Sequence, residues 1–379
     1  MLSYIFRRVL YMIPTLFAVT LVSFGIILIY ESVSGTYVDQ FRLNPNVTQE
    51  TRDQLEHQLG LDKPPYLRYL TWIQGIFIST DAVNTKTGEP WKVWAFGHFN
   101  LPILNIAVPY PRWYPYFGES FQNRRPVTDL FLEYLPYTML MTIPIFLFTW
   151  LVSIPIGIYS ATHQYSLGDH TVTFLGFLGL SIPGFFLALI IIYLLAGPLN
   201  VGSVCWPMEG RNYCLGVTGI FSPSYMGSPW PWDWSWGKFV DYLWHLWPVV
   251  LVLGSGAMAT LIRIMRGSML DILGSNYIKT AKSKGLSERV VVWKHAARNA
   301  INPIVSVFGQ FLPFLIQGAL VTAVVLNIPT VELFYYQSLI NVDEYVIVTV
   351  LMFFAFVLLI GNLLADILLA MVDPRIRYE

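Results

Sequence analysis

The sequence predicts an all-α polytopic membrane protein with six transmembrane helices and enlarged external loops, and three observations lead there. Hydrophobic residues make up 55% of the 379-residue chain and charged residues only 12%, about half the charge that a water-solvated domain carries. The apolar residues gather in continuous runs of roughly 20, the length that crosses a hydrocarbon core about 30 Å thick as a helix. These runs lack the two-residue alternation of membrane barrel strands.

The first span is expected from about Val9 to Tyr30, behind Arg7 and Arg8. Its length, with no A-x-A cleavage site after it, marks a retained span rather than a removed signal. The others run from about Leu135 to Tyr159, Thr171 to Leu195, Phe239 to Ile262, Pro303 to Asn327 and Tyr345 to Leu369. Pro155, Pro183, Gly184, Gly254, Gly256, Pro313 and Gly318 fall inside them, permitting the bends and close contacts of a helical bundle. The chain therefore divides into a first span (1–30), an external segment with interfacial helices and an insertion (31–132), a five-span core (133–370) and a tail (371–379). The core includes a loop at 197–238 and a polar connection at 263–302.

Charge sets the orientation. The connection holds Arg263, Arg266, Lys279, Lys282, Lys284, Arg289, Lys294 and Arg298 against only Asp271 and Glu288, so the positive-inside rule places it in the cytoplasm with both termini. Arg7, Arg8, Arg375 and Arg377 agree. The 31–132 segment is nearly balanced in charge and lies outside. Within it VTQETRDQLEHQLG predicts a short helix ending at Gly60, because glycine accepts the left-handed C-cap. YLRYLTWIQGIFI is apolar enough for the outer interface. Most of the thirteen tryptophans, including Trp91, Trp94, Trp113 and those of SPWPWDWSWGKF, fall in external segments. An interfacial belt explains them, with a docking or carbohydrate surface as the alternative.

Several kinds of chemistry are missing. No phosphate-cradling G-x-x-x-x-G-K-[ST] loop occurs, so the chain is not expected to hydrolyse ATP or to bind a cofactor or nucleic acid. The six histidines are dispersed, without metal-ligand spacing; His163 and His170, seven apart, read as solvated loop residues. Glu133, Asp241 and Asp366 lie near span ends, where headgroups or water can solvate them, and a proton relay is the alternative. Cys205 and Cys214 would be able to form a disulfide in an exported loop, the alternative being two free thiols. Asn46-Val47-Thr48 matches a glycosylation acceptor.

The segment RIMRGSMLDILGSNYIKTAKSKGLSERVVVWKHAARNAINPIV reads as two short helices joined near Gly285, with Ser287 capping the second. Met269, Ile272, Leu273, Ile278 and Ala281 recur at helical spacing, as do Val291, Val292, Ala296 and Ala297. Such a pair suits a soluble partner or the inner leaflet.

NYIKTAKSKGLSERVVVWKHAARNAINPIV resembles the coupling signature of binding-protein-dependent ABC importer permeases, in the dipeptide/oligopeptide group. Ala281, Gly285, His295, Arg298, Asn299 and Pro303 take the signature positions. Thr280 and Ala281 stand where many importers have Glu-Ala-Ala. MLSYIFRRVLYMIPTLFAVTLVSF, LGLDKPPYLRYLTWIQGIF, FGESFQNRRPVTDLFLEYLPYTMLM, LGLSIPGFF and NLLADILLAMVDPRIRYE are similar to the same group in the expected order. The 79–116 insertion and the long 199–237 loop depart from it. The resemblance implies a permease subunit in a prokaryotic cell membrane. Its partners would be a second homologous permease, two ATP-binding subunits carrying ATP and Mg, and an extracellular or periplasmic solute-binding protein. Thr280, Ala281, Gly285, His295, Arg298 and Asn299 would couple the ATPases to the spans. Peptides are the expected solute, with oligosaccharides or other small solutes as the alternative; a non-transport scaffold or receptor and an ion-driven carrier are the rival classes.

Overall fold

The computed structural model describes residues 2–42, 44, 47–77, 96–101, 106–111, 115–208, 211–214, 216, 218–226 and 235–372. Asn46, Trp91, Trp94, Trp113, Trp230, Trp232, Trp234, most of the 79–116 insertion and the tail from 373 lie outside them.

The helices in chain order are α1 (Leu2–Ser34), α2 (Gln49–Leu59), α3 (Pro65–Phe77), α4 (Val127–Thr162), α5 (Leu167–Ser181), α6 (Gly184–Ala196) and α7 (Pro223–Met226). They continue with α8 (Trp236–Leu273), α9 (Asn276–Ser283), α10 (Glu288–Val290), α11 (Ala297–Ala300), α12 (Asn302–Leu326), α13 (Val331–Ile340) and α14 (Glu344–Val372). Among the described residues two antiparallel hairpins interrupt the helical pattern, β1 (Phe96–Leu101) with β2 (Ile106–Pro111) and β3 (Cys205–Met208) with β4 (Arg211–Cys214). Both fall in the long loops, so the spanning architecture is all-helical.

Among the described residues four helices, α1, α4, α8 and α14, are long and apolar enough to cross a membrane, and there are six spans if each of two bent pairs counts as one. The first bent pair corrects the expected unbroken helix over 171–195. There α5 and α6 meet at 100°, because Pro183 excludes the helical region for its predecessor and Ile182 is accordingly extended at φ −93°, ψ 121°. The second is the 89° turn between the end of α12 and α13, where Asn327 adopts the left-handed conformation that asparagine tolerates better than most residues. The surface of α1 is apolar along its length, with Phe6, Leu10, Ile13, Leu21, Ile26 and Val33 all exposed. A helix that displays such a surface is solvated by lipid.

Two compact units make up the chain. The first comprises Met1–Met12, Pro136–Leu333 and Phe354–Glu379. Its core includes Met141, Ile145, Leu261, Met265, Met269 and Ile304, and Phe308 sets its ring edge-on against Phe146 and Trp150. Helices approach closely where side chains are smallest: a Cβ on Gly309 would lie 2.5 Å from the backbone of Gly361 and Asn362. Glycine at that crossing permits contact that any other residue would block. Tyr4 and Arg8 of α1 both reach Asp366 of α14, at 2.7 and 2.9 Å.

The second unit comprises Ile13–Leu135 and Phe334–Phe353. The predicted polar helix is α2: Thr48 caps its start by accepting the Thr51 amide, and Gly60 ends it at φ 69°. The apolar stretch is α3, whose Tyr69, Trp72 and Ile76 face a core shared with Phe24, Ile27, Ile347 and Val348. Trp72 donates its indole N–H to the Phe117 carbonyl at 2.9 Å. Arg68, on the same face, is buried between Glu31, held bidentately at 3.0 and 3.1 Å, and Glu344.

Candidate functional site

The basic connection folds as a bracket on the first unit. Its first arm is α9, which ends in a Schellman cap. Leu286 N–H bonds the Ala281 carbonyl at 3.4 Å and Gly285 N–H bonds that of Lys282 at 3.0 Å. This closure requires a left-handed residue, and Gly285 supplies it at φ +76°, with open space where a Cβ would stand. Ser287 holds the N-cap backbone geometry of α10, but its side chain makes no capping hydrogen bond. The expected hydroxyl cap is therefore not formed.

The second arm is not a plain α-helix. After α10 the chain winds as a π-helix over Val291–Ala296 before α11 resumes. Val292, Ala296 and Ala300, all buried, recur four residues apart, slower than the 3.6-residue α repeat. The wider π turn holds them on one face, and such turns gather at functional sites. Ile278 from α9, with Val291, Val292, Ala296 and Ala300 from the second arm, joins the core of the unit, and Ala281 packs against it. The apolar stripe is thus packed into the protein's own core.

Apart from Gly285, the predicted site residues are placed in four ways. Ala281 is half-buried against the core and His295 is half-buried, while Thr280 is exposed and spends its hydroxyl on the Asn276 carbonyl of its own helix. Asn299 reaches back to α9 and donates to the Tyr277 hydroxyl at 2.9 Å, which ties the two arms together. Arg298 joins neither and lines a groove beside the second arm. Sequence reasoning missed Tyr277, Leu286 and Val290, large apolar side chains that remain exposed. Their signal was present: they fall out of phase with the buried stripe.

A polar anchor lies at the start of the connection. Arg266, near the end of α8, donates to both Asp169 oxygens at 3.1 and 3.0 Å and to Ser160 at 3.0 Å; Ser160 also bonds Asp169. The charge that helped to set orientation is therefore paired as well. Each acidic residue singled out at span ends is likewise engaged. Asp366 holds Tyr4 and Arg8, Glu133 pairs with Arg125, and fully buried Asp241 accepts the Ser222 amide at 2.8 Å and hydroxyl at 2.6 Å. His245 Nδ1 stands 2.8 Å from the Asp241 carbonyl. In the 199–237 loop Cys205 is disulfide-bonded and faces Cys214 in the hairpin register. No group of three or more potential metal ligands occurs among the described residues.

Buried carboxylates went unnoticed in the sequence. In the second unit Asp343 accepts the Ser120 hydroxyl at 2.6 Å, and burial pushes its carboxyl above the ordinary range. In the first unit Glu332 is fully buried, 3.4 Å from the Thr138 hydroxyl.

Comparison with known proteins gives this arrangement a family. Residues 153–378 match the binding-protein-dependent transport system inner membrane component family, and residues 1–97 match the N-terminal region of such membrane components. The chain belongs to this family. The permease is 31% identical over 379 residues to the oligopeptide transport system permease protein AppB of Bacillus subtilis, with each chain covered in full. It is 29% identical over 381 residues to the dipeptide transport system permease protein DppB of Escherichia coli K12, again with full coverage of both. The peptidoglycan transport system permease protein YejB of Agrobacterium fabrum is 26% identical over 343 residues, covering 90% of this permease and 79% of that chain. The bracket lies wholly inside the matched 153–378 region.

Proposed function

We propose that this permease forms half of the path of an ATP-driven importer for di- or oligopeptides. It sits in a prokaryotic cell membrane with both termini and the 263–302 bracket in the cytoplasm. It pairs with a second homologous permease; two ATP-binding subunits, which carry ATP and Mg, dock below, and an external binding protein delivers solute above. The permease contributes a path and a lever and no reaction of its own.

The bracket carries this reading. A surface segment with its apolar stripe buried, its arms tied by Asn299 and Tyr277, and Tyr277, Thr280, Leu286 and Val290 displayed is suited to receive a push and pass it to α8 and α12, which flank it. Exposed apolar side chains at the centre of a polar rim are the usual anchor of a protein interface. Ala281, Gly285 and His295 shape the lever and Thr280 lies on its contact face. Peptide as solute rests on the AppB and DppB relatives.

ATP-dependent uptake in proteoliposomes holding the full complex and its binding protein tests the reading, with di- to hexapeptides competing against oligosaccharides. Peptide uptake is expected. Sugar-only uptake would overturn the solute, and uptake driven by an ion gradient without ATP would overturn the mechanism.

A further inference from the structure

A groove of about 450 Å³ opens beside the second arm of the bracket, a volume in the range of small-ligand sites. Its wall is apolar, made by Ile154 and Ile158 of α4, Met265 of α8, Ala297 of α11, Ile301 before α12 and Met371 at the end of α14. Two side chains of different character complete it. Trp293 is 53% exposed, and Arg298 is exposed and makes no ion pair among the described residues.

The occupant follows from position and charge. Ile158 lies one turn from the end of α4, and Met371 is the last residue but one of α14, so the groove sits where these spans leave the bilayer. In the orientation proposed above, on which this inference rests, that level is the inner leaflet. The surrounding connection has eight basic residues against two acidic ones, and anionic lipid heads concentrate at such surfaces. An indole ring favours the headgroup layer. A wall of aliphatic and thioether groups offers a polar solute no hydrogen bonds, whereas a lipid tail needs none.

We propose that the groove is a binding site for an anionic phospholipid, with an acyl chain along Ile154, Ile301 and Met371 and the phosphate on Arg298. The site places a lipid against the π turn of the bracket, so the lever moves against an ordered lipid rather than a bare groove.

The test uses the full importer complex in nanodiscs of phosphatidylglycerol and phosphatidylcholine in equal amounts, each in turn carrying a photoreactive acyl chain. Crosslinks are mapped by mass spectrometry. Phosphatidylglycerol is expected to label peptides of α4 and α14 that line the groove, about fivefold over phosphatidylcholine, the preference that one favourable basic contact gives. Arg298→Gln should abolish the preference while leaving acyl labelling, and Ala297→Trp, which fills the groove, should abolish labelling by both lipids. Met371→Trp fills it from an exposed position and serves if Ala297→Trp does not assemble. Equal labelling by the two lipids, labelling unchanged by either filling variant, or crosslinks from the groove to the second permease would overturn the proposal. ATP-dependent uptake measured on the unaltered complex separates the outcomes: loss of the lipid preference with uptake intact sinks this site alone, whereas absent uptake sinks the importer reading.

Discussion

The bracket and the second unit handle charge in opposite ways. In the bracket Lys282, Lys284, Arg289 and Lys294 are exposed, and the side chains that join the core are apolar. In the second unit Arg68 is 5% exposed between Glu31 and Glu344, the latter fully buried. Displayed charges cost little and remain available to a partner, whereas a buried charge must be matched or the fold fails. On the proposed reading the bracket serves contact and the Arg68 cluster architecture.

Replacing the cation in each region should break the symmetry most visibly. Arg68→Ala leaves two buried carboxylates uncompensated and should cost about 3–5 kcal/mol, seen as a large drop in the thermal inactivation midpoint of the purified complex. Arg289→Ala should change that midpoint little, since exposed substitutions usually stay within about 0.5 kcal/mol. Equal losses in the two variants would erase the distinction.

Glycines sharpen it next. Gly309→Ala drives a methyl into the backbone of Gly361 and Asn362 and should destabilise by about 1–3 kcal/mol through overpacking. At Gly285 the space is open and only the backbone conformation resists, so Gly285→Ala and Gly285→Trp should weaken ATPase stimulation alike, at about 1 kcal/mol of local strain. Gly285→Asn should be milder, because asparagine tolerates the left-handed region. A far worse tryptophan variant would mean that bulk, not conformation, sets the angle.

The smallest effect concerns acid. Burial raises the Asp343 carboxyl, so the folded chain holds this proton more tightly than the unfolded chain, and stability falls as pH rises from the unfolded value through the folded one. Asp343→Asn should flatten that slope of complex stability while keeping an acceptor for Ser120. An unchanged slope would place the titration elsewhere.

Sequence made the spans legible because lipid demands long apolar runs, and it made the ends of α2 and α9 legible because Gly60 and Gly285 occupy positive-φ turns that few other residues accept. The break at Pro183 was visible as a proline, but its 100° angle depends on packing. The π turn carries no glycine or proline to announce it. The partners of Arg68 lie 37 residues back at Glu31 and far ahead at Glu344, a pairing that only the folded chain defines. For the bracket, the chemistry of Thr280, Ala281 and Asn299 came from resemblance, while the exposed Tyr277, Leu286 and Val290 needed the burial pattern.

The most direct measurement of the lever is site-specific crosslinking in the assembled importer, with single cysteines introduced at Thr280 and Leu286 on the displayed face and at Ile278 on the buried one. The account predicts rapid crosslinks from the first two to an ATP-binding subunit, altered on ATP addition, and none from Ile278. Crosslinks from Thr280 and Leu286 to lipid alone, or none to the ATP-binding subunit in a complex that still imports, would contradict it.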